Sequence, residues 1–174
     1  MDLYSIINEN HLWEKQISIK RNEYLVEENC INQDLFFVID GSLKVSCIID
    51  DEEQIIRLGY SNSFLTALDS FLTNTPTTYS ITAIKNATLK SISKNKLLHY
   101  LEENHLQNLW IDVLNTLIIQ QSEREIDLLN TSAKDRYERV LKRSPKLFQN
   151  IPHKYIANYL RVSPETLSRL LKKS

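Results

Sequence analysis

Glycine is nearly missing from this chain: two residues in 174, beside four prolines, two cysteines and one methionine. Such scarcity excludes the glycine-rich loops that cradle phosphates, and no nucleophile elbow or His-Glu-x-x-His pattern occurs. The strand-rich stretch holds no histidine, so the His-rich metal centre of cupin-like barrels cannot be assembled there. No enzyme, metal or cofactor is expected. Cys30 and Cys47 are too few for a four-cysteine cluster. Without a secretion signal they are expected as buried free thiols. No apolar run is long enough to span a bilayer, and the start lacks a basic region followed by an apolar one. A soluble, cytoplasmic protein with no membrane partner is the expectation.

What is present divides by charge. The net charge of −1 hides +8 over residues 133–174 against −9 over residues 1–132. An acidic body with a basic end is the pattern expected when only that end meets a polyanion. The length suffices for one large domain or two small ones.

Residues 1–14 read as a helix, apolar on one side. Short β-type runs follow at 17–19, 23–26, 35–39, 42–49, 54–58, 78–84 and 87–92, with turn signals between them. Asp40-Gly41 is the clearest hairpin signal, because it supplies the positive φ values of a type I′ turn. The acidic run Asp50-Asp-Glu-Glu53 reads as a solvated hairpin tip. A sandwich or rolled barrel follows, not an alternating parallel sheet. A short helix is expected over 64–72, another from Leu97, and a long one over about 106–130. That long helix is apolar around much of its girth, which suits one face toward the strands and one toward a second copy. Leu106, Leu109, Val113 and Leu117 are the candidate dimer contacts. The domains are expected at 1–105, 106–132 and 133–174.

The richest signal lies in the last two dozen residues, which read as two helices joined by a tight turn. Ile156, Ala157, Leu160, Val162, Leu167 and Leu170 form their seam. Ser163 caps the second helix and Pro164 takes its first position. Arg161 stands in the turn where glycine is common, and a left-handed conformation there costs about 1 kcal/mol. Ser163, Glu165, Thr166, Ser168, Arg169, Lys172 and Lys173 remain as a polar face able to meet base edges and phosphates of duplex DNA.

This order of elements resembles the Crp/Fnr family of bacterial transcription regulators over nearly the whole chain. The residues that carry the resemblance are Ser163-Pro-Glu-Thr-Leu-Ser-Arg169 and the helix entry Ala133-x-x-Arg-Tyr137. It implies an α+β fold: an N-terminal double-stranded β-helix (a jelly-roll-like β-roll), a long dimerisation helix and a C-terminal helix-turn-helix without an evident wing. It also implies a homodimer on an inverted repeat, with recognition helices about 34 Å apart, and RNA polymerase as a further partner. By the same resemblance Arg169 reads guanine and Glu165 accepts from cytosine. A third reading position holds Pro164.

The effector site departs from the pattern. Where cyclic-AMP-binding members place Gly-Glu, this chain has Thr66 and Ala67; where they place the phosphate-neutralising Arg, it has Thr77, followed by Thr78. A buried phosphate without a cation is strongly disfavoured, so cyclic nucleotide binding is not expected. A pocket lined by Phe64, Thr66, Ala67, Leu68, Phe71, Thr77, Thr78 and Tyr79 takes an unknown small molecule or none. His99 and His105 are the faint haem candidates. The rival reading is a small-molecule sensor or protein-interaction module whose helix-turn-helix no longer binds DNA.

Overall fold

The computed structural model describes residues 2–172. Helix α1 (Leu3–Glu9) starts at Asp2, whose carboxylate accepts from Ser5 N–H at 2.8 Å. Six antiparallel strands follow: β1 (Lys15–Ile19), β2 (Tyr24–Val26), β3 (Asp34–Ile49), β4 (Glu52–Tyr60), β5 (Ser63–Leu65) and β6 (Ser80–Ser93), with α2 (Leu68–Thr73) before β6. The long strands β3 and β6 pair along most of their length. Beside one half of this pair lie β1 and β5, beside the other β2 and β4. Phe36, Val38, Leu43, Val45, Ile81 and Leu89, from both halves, form one inner core.

The expected hairpin at Asp40-Gly41 is not there. Strand β3 runs straight through it, joining two runs read separately in the sequence, and β6 joins two more. Of the two residues Gly41 alone has a positive φ (93°), and the β3–β6 register shifts around it. A Cβ there would stand 2.3 Å from the Asn86 carbonyl oxygen, so glycine marks the place where the paired strands bend against each other. The tight turn lies ten residues on. Asp50 (φ 51°) and Asp51 (φ 61°) supply two consecutive positive φ values between Ile49 and its partner Glu52. Gly59 sits inside β4, where a Cβ would stand 2.3 Å from the Leu65 side chain. Asn, Asp and His hold most of the left-handed positions that glycine would otherwise fill. The helix expected over 64–72 begins only at Leu68, since Phe64 belongs to β5.

Helices α3 (Lys94–Glu103) and α4 (Gln107–Leu129) follow, then α5 (Ala133–Arg143), α6 (Pro145–Asn150), α7 (His153–Leu160) and α8 (Pro164–Leu171). Ser144-Pro145 separates α5 from α6, as expected of a residue held out of the α region by the following proline. A second core joins α1, α3, the start of α4 and Phe71 of α2 to the outer face of the strands through Leu35 and Ile92. The third is shared: Tyr137, Val140, Ile156, Leu160 and Leu167 pack with Ile55 and Leu58 of β4 and Ile84 of β6. At about 1.5–3 kcal/mol per fully buried large apolar side chain, that joint fastens the last four helices to the strands. Cys30 is exposed, not buried, and Cys47 half-buried; neither is bridged.

Candidate nucleic-acid interface and sensor pocket

Helix α8 is anchored on one side and bare on the other. Ser163 is extended (φ −69°, ψ 152°) and its hydroxyl accepts from Thr166 N–H at 3.2 Å, with Pro164 in the first turn. Leu167 is fully buried among α5 and α7, whereas Ser163, Glu165, Ser168, Arg169 and Lys172 are exposed and Thr166 is half-buried. Arg169 Nη2 donates to Thr166 Oγ1 at 3.3 Å, laying the guanidinium along the helix. Hydrogen bonding at the helix start, from its own N–H and then Ser163, holds the Glu165 carboxyl below its ordinary value. Lys173 lies outside the described residues.

The turn before α8 is held by cations. Arg161 takes the left-handed conformation (φ 56°, ψ 47°). Its N–H donates to the Asn158 carbonyl and that of Val162 to Ala157, both at 3.0 Å, the bond pair of a Schellman cap. Arg136, the arginine of the helix-entry motif, donates to the carbonyls of Leu160 (2.9 Å), Arg161 (3.2 Å) and Asn130 (2.5 Å). Arg124 of α4 stacks 3.8 Å over the Tyr159 ring and donates Nη2 to the Tyr159 carbonyl. Two guanidinium groups thus meet the negative end of α7.

Two further joints set the posture of these helices. Asn158 of α7 pairs with the edge of β4 as a strand would, accepting from Ile55 N–H and donating to the Glu53 carbonyl, both at 2.8 Å. The fully buried Asp127 carboxylate of α4 accepts from Arg139 Nε at 2.8 Å and Arg143 Nη2 at 2.5 Å; Glu123 accepts from Arg139 at 2.6 Å. Burial alone would raise the Asp127 carboxyl, but the bonds from Arg143 and Arg139 outweigh it and hold it below the ordinary value.

Two of the residues expected around an effector, Thr77 and Thr78, meet a carboxylate that the sequence reading left without a role. Asp69, in the first turn of α2, accepts from Thr77 Oγ1 (2.7 Å), Thr78 N–H (2.8 Å), Thr78 Oγ1 (3.0 Å) and Ser70 N–H (2.8 Å). The donors of Thr77 and Thr78 are therefore spent on an anion the chain supplies itself. Burial pushes the Asp69 carboxyl up, but the bonds from Thr77, Thr78 and Ser70 bring it below its ordinary value. Thr66 donates to the Asp34 carbonyl at 3.0 Å. Ala67 and Phe71 are buried, Leu68 is half-buried, Tyr79 packs on the inner core and Phe64 on the outer one. His99 sits exposed beside Glu103, 3.3 Å away, and His105 in the exposed turn after α3; among the described residues no cluster suits a metal.

Of the four residues expected at a dimer contact, Leu106, Leu109 and Val113 turn toward the outer core of their own chain, and Leu117 lines a cavity between α4 and β4. On the opposite face α4 leaves several apolar side chains in solvent, among them Ile111 (51 % exposed), Ile118 (66 %) and Ile119 (64 %).

A sequence profile of the cyclic nucleotide-binding domain matches residues 16–104, just over half the chain. The chain belongs to the cyclic nucleotide-binding domain family. Its fold is similar to that of the catabolite activator protein of Thermus thermophilus, at 18 % identity over 99 % of this chain and 83 % of that one, TM-score 0.59. FixK2 from Bradyrhizobium japonicum aligns at 17 % identity over 91 % and 83 %, TM-score 0.71. The c-di-GMP-responsive global regulator CLP of Xanthomonas campestris aligns at 19 % over 99 % and 91 %, TM-score 0.64. At such identities the likeness is one of fold. Among curated protein sequences none matches. Among the described residues no helix is long and apolar enough to cross a membrane.

Asp69, Asn158, Arg124 and the cluster of Asp127 with Arg139 and Arg143 escaped the sequence reading. Asp69 meets its threonines eight and nine residues on, across an irregular stretch, and the others bond between separate elements, so no local pattern marks them. Arg136 alone carried a signal, its place in the helix entry.

Proposed function

We propose that this protein is a DNA-binding transcription regulator of the Crp/Fnr type, engaging an inverted-repeat operator as a homodimer and needing no cyclic nucleotide. The observation that carries this is the bare polar face of α8, presented on a helix whose other side is locked into the core through Leu167. Arg169 is the guanine-reading side chain, Glu165 accepts from a cytosine amino group, and Ser163, Thr166, Ser168, Lys172 and Lys173 serve phosphates. The +8 charge of residues 133–174 supplies the sequence-independent attraction. Residues 1–105 act as the sensor-like body, 106–132 as the dimer helix and 133–174 as the DNA-binding part.

The second copy packs on the solvent face of α4, along Ile111 and Ile118, since large apolar side chains left together in water are the usual mark of a partner. A cyclic phosphate finds no room, because Asp69 already takes the donors of Thr77 and Thr78 and would repel it. An inverted-repeat library in a mobility-shift titration tests the proposal. Binding weakens steeply as salt rises, and Arg169→Ala relaxes preference at one guanine per half-site, by about 1–3 kcal/mol. Undetectable binding at about 50 mM salt hands the protein to the rival reading, an interaction or sensor module, which Pro164 on the reading face would suit.

A further inference from the structure

A cavity of about 810 Å³ lies between β4, α4 and the start of α1, and reaches Ser144, Leu147 and Tyr159 of the C-terminal helices. No residue between 66 and 79 lines it, so it is separate from the Asp69 cradle. Its volume falls in the range of small-molecule sites, about 300–1,000 Å³.

Its walls are of two kinds. Toward α1 and the outer strand face they are apolar, formed by Phe37, Phe64, Leu109 and Val113. Toward the C-terminal helices stand two arginines. Arg124 is 6 % exposed and its Nη1 is buried with no hydrogen-bond partner. The half-buried Arg57 side chain of β4 feels the Tyr159 phenol electrostatically but, among the described residues, has no hydrogen bond or ion pair. Arg143 also lines the cavity, but Asp127 and Glu123 already hold it. The cavity's own acids, Asp2 and Asp112, lie toward its other end; twelve residues along α4, about 18 Å, separate Asp112 from Arg124. A guanidinium cannot shed its proton to escape burial, so an unpaired one carries a standing electrostatic cost that an anion removes.

We infer that this cavity binds an elongated organic anion, its carboxylate or phosphate head on Arg57 and Arg124 and its apolar body against Phe37, Phe64, Leu109 and Val113. The site lies on the strand-facing side of α4, opposite Ile111 and Ile118, so a second copy on that outer face leaves it open. Because Arg124 also holds the Tyr159 carbonyl and stacks on its ring, a head group there pulls on the end of α7, next to the turn that leads into α8. The inference goes beyond the DNA-binding reading and stands without it.

Isothermal titration of the full chain with decanoate, below micelle formation, tests it without DNA. Inorganic phosphate and decylamine are the controls. Decanoate is expected to bind saturably, one per chain, and both controls at least tenfold more weakly. Arg57→Met and Arg124→Met each weaken decanoate at least tenfold. Arg57→Met unfolds at the same temperature as the parent or higher, since no side-chain hydrogen bond or ion pair is lost, and so guards against a misfolded variant. Absence of saturable decanoate binding overturns the inference. So does undiminished binding in Arg57→Met, or equal binding of phosphate or decylamine.

Discussion

Replacing Asp69 with alanine removes the acceptor of four hydrogen bonds, from Ser70, Thr77 and twice from Thr78. The two Thr78 donors are exposed and turn to water at little cost. Thr77 is 1 % exposed, so its hydroxyl proton is stranded, at about 1–3 kcal/mol. Loss of the charge-assisted bonds themselves brings the expected destabilisation to about 2–3 kcal/mol. Urea unfolding at neutral pH measures it. Thr77→Val in the Asp69→Ala background removes the stranded donor, so the double variant loses less than the two single losses added. The carboxyl titrates below its ordinary value of 3.8 in the folded protein. Its contribution is therefore complete above that value and disappears as pH falls through the lower, folded one. Parent and Asp69→Ala curves run parallel near neutrality and converge in acid below pH 3.8. A variant as stable as the parent at neutral pH, or a gap that persists unchanged into strong acid, refutes the reasoning.

Other outcomes follow from the same geometry. Asp127→Asn keeps an acceptor but removes the buried charge facing Arg139 and Arg143, which are partly exposed and retain Glu123, so the loss by urea unfolding is about 1–3 kcal/mol; an unchanged stability would mean that water and Glu123 serve the two arginines equally well. Gly41→Ala forces a Cβ to 2.3 Å from the Asn86 carbonyl at φ 93°, so the strand bend must open, at about 2–4 kcal/mol; an unchanged melting temperature contradicts this. Asn158→Ala breaks the link of α7 to β4 at about 1–2 kcal/mol, and hydrogen exchange of Ile55 N–H is expected to rise more than that of the Leu89 amide in the inner core.

The start of α8 was legible because a capping serine, a proline and a buried Leu167 are all local signals. The left-handed Arg161 was equally readable from the length of the turn. Asp40-Gly41 misled because a turn signal is local whereas strand continuity is not: β6 pairs with both sides of Gly41 and carries β3 through it. The tight turn falls within the acidic run Asp50-Asp-Glu-Glu53, read as a hairpin tip, where Asp50 and Asp51 adopt positive φ in a chain with only two glycines. On α4 the periodicity marked an apolar helix but not which face meets the strands; the packing of Leu106, Leu109 and Val113 on the cluster that holds Leu35 and Ile92 decides that. That Thr77 stands where the resemblance places a phosphate-binding arginine is an expectation of the sequence alone. The internal carboxylate was not legible there, because Asp69 meets Thr77 and Thr78 only once α2 and the chain leading into β6 fold together.

The most direct test of the account is fluorescence anisotropy of a labelled inverted-repeat duplex, titrated with the parent protein with and without excess cyclic AMP. The account predicts the same affinity in both titrations, falling steeply with added salt and reduced by Arg169→Ala. Binding that arises only when cyclic AMP is present, or none in either titration at low salt, contradicts it.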